Sequence, residues 1–236
     1  MIEIILLVSS VLFIFALKLF GRPSSAHRAN TFAMLAMGLA IFSAFNFDFS
    51  KYDSTFYITI VVSGLLGVLI SKRVQMTQMP ELVGLFNGFG GGASGAIAYV
   101  ELSGSSIPIS DVFVAIFSMV IGMFTFSGSL VAVMKLRGKL NNFSKKLADI
   151  FSVFLPTIII IPAVLEMDDL LIEFIILVAL IAGVIRVAVI GGADMPVVIA
   201  FLNSLSGIAA MSAGFIVNSI ISVSYTHLTL PTTMWV

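Results

Sequence analysis

The 236-residue chain has no cysteine, one tryptophan and two histidines, and charged residues make up only 10% of it. Without cysteine there is no disulfide framework, no thiolate metal site and no cysteine nucleophile. The histidines, His27 and His227, lie outside the apolar segments, which argues against a histidine metal centre. Twelve Lys and Arg balance twelve Asp and Glu, so the net charge is zero and nothing electrostatic favours nucleic acid. A soluble domain of this length needs about a quarter of its residues charged to cover its surface, and that class is excluded.

What is there instead is apolar: 59% of residues are hydrophobic and the mean hydropathy is +1.16. Eight apolar segments follow one another, at 2–20, 32–47, 54–70, 80–100, 112–134, 149–165, 170–190 and 196–222. Each approaches the length that crosses a hydrocarbon core of about 30 Å. None shows strand alternation, and helices pair every backbone group within lipid. The expected fold class is all-α: a polytopic transmembrane helix bundle of about eight spanning helices. The first segment has no basic residues before it and no clear small-residue cleavage site after it, so it reads as a retained membrane helix.

Charge placement orients the bundle. With the N-terminus outside, Lys18, Arg22, Arg28, Lys72, Arg73, Lys135, Arg137, Lys139, Lys145, Lys146 and Arg186 fall on the inner side, and only Lys51 falls outside. Most of the acids fall on the other side, among them Asp48, Asp53, Glu101, Asp111, Glu166, Asp168, Asp169 and Glu173. This is the positive-inside pattern, with basic loops cytoplasmic in a cell inner (plasma) membrane.

One pattern appears twice. Residues 79–93 read MPELVGLFNGFGGGA and residues 195–209 read MPVVIAFLNSLSGIA, so that Met79, Pro80, Asn87, Gly91 and Ala93 match Met195, Pro196, Asn203, Gly207 and Ala209 at an offset of 116. Each copy opens with Pro at a favourable early helix position. Each places an Asn seven residues further, roughly 10 Å along the axis. The two segments are four spans apart, so they run the same way: a parallel internal repeat.

Asn87 and Asn203 are the leading site candidates, because an amide both donates and accepts and can hold water in a proton path. Ser204 and Ser206 extend that chain. The competing reading is a structural hydrogen bond between helices. Asp194, before the eighth segment, is a helix cap or a proton acceptor at the mouth of the path. Glu81 has the same two readings in the first turn of the fourth segment. Gly84, Gly88 and Gly92 form one ridge and Gly91 and Gly95 a second beside it; with Gly207 they suit close helix packing. Residues 88–93 also match a loose dinucleotide fingerprint, but they lie inside an apolar helix rather than between a strand and a helix.

From residue 223 the pattern breaks. SYTHLTLPTTMWV (224–236) is Thr-rich and resembles translated read-through or a cloning scar. The expected organisation is a transmembrane domain over 1–222, read as proton-translocating from the resemblance given next, and a non-native-looking tail over 223–236, with the natural chain continuing past about 222 and this one truncated there.

IGGADMPVVIAFLNSLSGIAAMSAGF (190–215), MTQMPELVGLFNGFGGGASG (76–95) and FTFSGSLVAVMKLRGKL (124–140) resemble membrane segments of the β subunit of proton-translocating NAD(P) transhydrogenase. The resemblance implies a membrane proton channel that couples proton translocation to hydride transfer between NADH and NADP⁺. It implies no catalytic or cofactor-binding residue for hydride transfer in this chain, no metal, and inactivity of this chain alone in that reaction. NADP and NAD are expected on domains outside it, one of them on the α subunit. The implied partners are that α subunit, a second α–β unit in a homodimer, membrane lipid and protons. Asp194 and Asn203 match functionally important family positions, whereas Asn87 stands where many members carry His. The alternatives are a secondary transporter for a small solute with a paired-Asn site, and a structural membrane assembly subunit.

Overall fold

Long apolar runs without alternation become helices throughout the described residues, which in this computed structural model are 2–44, 53–104, 109–140 and 169–217. Among these residues seven α-helices follow in order: α1 (Ile2–Phe20), α2 (Ala26–Ala44), α3 (Ser54–Arg73), α4 (Met79–Gly104), α5 (Ile109–Leu136), α6 (Asp169–Ala188) and α7 (Met195–Ile216). No strand occurs among the described residues.

Among the described residues, four segments are long and apolar enough to cross a membrane: Ser54–Arg73, Asp111–Leu136, Asp169–Ala188 and Gly192–Ile216. The protein is therefore a helical membrane protein, but the expectation of about eight spans is met only in part. Helix α1 is apolar over a shorter stretch, Ile4–Phe20. Helix α4 has 26 residues, enough for a span, but glycine, serine and asparagine dilute its hydropathy. The expected segment at 149–165 and the tail from 223 lie outside the described residues.

Helices α4 to α7 pack around shared cores. Val131, Ala132, Val187, Met195, Val198, Ile199 and Leu202 form one. Ala98, Ile116, Met119, Val120, Ile172, Ile175 and Ala179 form another further along the bundle. The early residues of α5 thus meet the early residues of α6, and late meets late, so these two helices run parallel. Helices α4 and α7 both run against α5. A Cβ at Gly84 would lie 3.0 Å from Val133 and 3.1 Å from Ile199, while one at Gly95 would lie 3.2 Å from Met123. Helix α1 pairs with α2 through Phe13, Ala16 and Ala36, and the Ser9 hydroxyl donates to the Ala36 carbonyl at 2.7 Å. No residue of α3 is buried.

The repeat extends beyond the residues that match. A single 3₁₀ turn, Met76–Gln78, leads into α4, and another, Gly192–Asp194, leads into α7. These turns are also 116 positions apart. Pro then occupies the first turn of each helix, where its missing N–H leaves no bond unmade. At the far end of α5, Gly138 adopts φ 65°, the left-handed conformation that costs glycine nothing. The Lys139 amide then reaches back to the Met134 carbonyl at 3.0 Å, which closes the helix.

Candidate functional site

Helix α4 approaches α5 so closely because both present bare backbone. A Cβ on Gly122 would sit 2.5 Å from the Gly91 carbonyl oxygen and 2.7 Å from the Gly95 nitrogen, so no side chain fits there. Gly88 faces Ser129 and Phe126, and Gly92 faces the Phe126 ring. Both glycine ridges read from the sequence are therefore packing surfaces against α5. Gly122, and Gly183 where α6 meets Ser127 and Phe124 of α5, complete the seam; the sequence reading missed both.

The close approach brings polar groups of three helices together. Asn87 of α4 donates through Nδ2 to Ser129 Oγ of α5 at 2.9 Å. Its Oδ1 accepts from Ser206 Oγ of α7 at 2.6 Å. The Ser206 hydroxyl is also 2.9 Å from the carbonyl oxygen of Asn203. Asn87 and Asn203 are both buried, at 8% and 6% exposure, which removes most of their contact with bulk water. Buried amides of this kind are retained where their hydrogen bonds are made. Ser129 was not singled out from the sequence. Its place on α5, three helical positions past Phe126 and opposite Gly88, becomes meaningful only once the two helices are packed.

Beside this network lies a cavity of about 580 Å³. Helices α1 and α2 supply Phe13, Phe20 and Met37 to its wall; α4 supplies Asn87, Gly90 and Ser94; α7 supplies Asn203, Ser206 and Gly207. Both repeated asparagines thus open onto one space, with hydroxyls between and beside them. No Asp, Glu, Lys, Arg or His is among the residues that line it.

The other candidates sit elsewhere. Ser204 donates to the Ala200 carbonyl at 3.2 Å within its own helix and does not line the cavity. Glu81 pairs with Arg137 Nε at 2.6 Å, which ties the first turn of α4 to the end of α5. Asp194 occupies the N-cap position of α7 at φ −90°, ψ 0°, but its carboxylate makes no cap hydrogen bond, and the residue is exposed. All three of Glu81, Arg137 and Asp194 belong to the end of the bundle where α4 and α7 begin. No group of three or more metal-ligating side chains occurs among the described residues.

The match to the model of the NAD(P) transhydrogenase beta subunit family runs from residue 2 to residue 228. The chain belongs to this family. The NAD(P) transhydrogenase subunit beta of Rhodospirillum rubrum is 32% identical over 223 residues, covering 89% of this chain and 48% of the relative. The protein of a culture-collection strain of that species matches with the same identity and coverage. The chain thus spans about half the length of the curated relatives it matches.

A transhydrogenase implies nicotinamide dinucleotides, and the described residues do not fit one. The glycines of 88–93 lie within α4, and Gly88, Gly91 and Gly92 are packed against α5 rather than forming a phosphate-binding turn. The described residues form a helical bundle, and the polar network between α4, α5 and α7 is the chemistry they present.

Proposed function

We propose that this chain forms the proton-conducting membrane part of a transhydrogenase β subunit, coupling proton translocation to hydride transfer between NADH and NADP⁺. The observation that carries this reading is the convergence of Asn87 and Asn203, one from each copy of the repeat, on one cavity. Amides and hydroxyls do not titrate in the physiological range, so they are not proton carriers themselves. They fix water: each amide offers a donor and an acceptor, and each serine hydroxyl can rotate to do either. A proton then crosses along water held by these groups, and glycine packing of α4 on α5 keeps the seam narrow.

In this reading Asp194 and Glu81 stand at the cytoplasmic mouth, with the basic end of the bundle inside and the N-terminus outside an inner membrane. Ser204 lies on the α7 backbone beside the path rather than in it. The α subunit and a second α–β unit complete the assembly, and NADP and NAD bind outside the described residues. The chain alone is then inactive in hydride transfer. Membership of the transhydrogenase family favours neither a solute transporter nor an assembly subunit.

The test uses the full-length assembled complex in inside-out vesicles. Asn87→Leu and Asn203→Leu remove donor and acceptor at similar volume. Proton pumping per assembled complex should fall about tenfold or more, as for loss of a positioned group, while assembly persists. Wild-type pumping per complex in both variants would overturn the reading.

A further inference from the structure

The last turn of α5 touches the start of both repeat helices. Arg137 pairs with Glu81 in the first turn of α4. Two residues earlier, Lys135 turns the other way and donates its ammonium to the carbonyl oxygen of Ile190, in the turn that precedes α7. Lys135 is only 5% exposed. A buried ammonium is costly, and an apolar chain of the same length would fill its space without that cost. What the ammonium adds is direction: among the groups it meets, it holds the Ile190 carbonyl in place. That carbonyl lies just past the C-terminal end of α6, where a cation is favoured.

Side chains anchor the held segment only at its ends, where Ile190 packs against the core and Met195 is fully buried in it. Gly191 and Gly192 follow Ile190, and a Cβ on either would approach no closer than 3.6 Å to any neighbour. The Asp194 side chain makes no cap bond. Within the turn, Ile190 N–H bonds to the Val187 carbonyl and Asp194 N–H to the Gly191 carbonyl, both at 3.1 Å. From there α7 runs as one helix to Ser206 and its bond with Asn87. Helix α5 carries the other end of the same circuit, because Ser129, six residues before Lys135, accepts from Asn87.

We propose that Lys135 is a positioning residue that sets the axial register of α7, and through it the Ser206–Asn87 hydrogen bond. The proposal rests on the reading of Asn87 and Asn203 as the proton path. Helix α5 is then the common ruler of the repeat: Ser129 sets α4 at the level of the site, and Lys135 sets α7 at the basic end. Arg137 and Glu81 are an exposed pair and contribute little to the register.

The experiment compares Lys135→Met, Lys135→Arg and Arg137→Gln in the full-length complex in vesicles. Amide hydrogen exchange over residues 190–196 reads the tie directly, and protons pumped per hydride transferred reads its consequence. In Lys135→Met, exchange should speed up about tenfold and the proton-to-hydride ratio should drop at least about threefold. Lys135→Arg, which keeps a donor, should restore most of both, and Arg137→Gln should leave both near wild type. A purely structural lysine would lower the amount of complex without changing its ratio, and that result overturns the proposal. Unchanged exchange in Lys135→Met overturns it as well. If Asn87→Leu and Asn203→Leu pump normally while exchange in Lys135→Met still rises, the underlying reading of the site has failed and the tie has not.

Discussion

Ser206 of α7 donates to Oδ1 of Asn87 of α4 at 2.6 Å, so the two copies of the repeat meet one helical turn out of step. The sequence counterpart of Asn87 is Asn203, but its hydrogen-bond partner is the residue three positions beyond. Asn203 and Ser206 share a face of α7, since i and i+3 lie on one face of a helix. The offset-116 counterpart of Ser206 is Gly90, which is bare, so at that level of the cavity the hydroxyl comes from α7 alone.

A double-mutant cycle with Asn87→Ala and Ser206→Ala should return a coupling energy of about 0.6 kcal/mol, and at most about 1.7, the range for hydrogen bonds between membrane helices. Ser204→Ala should be nearly silent, because its hydroxyl serves only the Ala200 carbonyl. Denaturant unfolding of the purified membrane domain measures all three. A Ser204→Ala effect larger than that of Ser206→Ala would contradict the assigned partners.

Gly122→Val should destabilise the bundle by about 1–3 kcal/mol or abolish assembly, as overpacking does, because the seam against Gly91 and Gly95 has no room for a side chain. Gly90→Ala, two positions before the ridge glycine Gly92 and open to the cavity, meets nothing within 4 Å. It should be neutral or stabilise by up to about 1 kcal/mol through helix propensity. Thermal unfolding midpoints of the two variants separate these outcomes.

Lys139, just past α5, and Asp53, just before α3, are both exposed and lie on opposite sides in the positive-inside assignment. In intact cells, an impermeant thiol reagent should label Asp53→Cys and leave Lys139→Cys unlabelled until the membrane is opened. The reverse pattern would turn the assigned orientation over.

Removing the Glu81–Arg137 pair by Glu81→Gln should cost less than about 1 kcal/mol and the difference should shrink at high salt, since half of the Arg137 side chain is exposed. A cost that is larger and independent of salt would show that the pair acts as a buried bond. Urea unfolding at two ionic strengths decides it.

Composition determined that this chain is a membrane protein, because so little charge cannot cover a soluble surface, and the lack of strand alternation determined that its spans are helices. Helix limits were legible only in part: α5 and α6 stay within about three residues of the apolar segments read in the sequence, whereas α2 begins at Ala26, ahead of the segment read from 32. Identity at offset 116 located both asparagines, and the 3₁₀ turns ahead of α4 and α7 show that the repeat is one of structure. Partners were not legible. Ser129, Gly122, Gly183 and Lys135 carry no local signal, since serine and glycine are common in apolar helices and Lys135 looks like any lysine at a membrane edge. Only packing assigns them. Whether a glycine faces a neighbouring backbone or open space, and whether a hydroxyl turns to its own helix like Ser204 or across like Ser206, depends on the rotation and register of each helix against the next. Those are set by contacts between residues far apart in the chain, which no local pattern encodes.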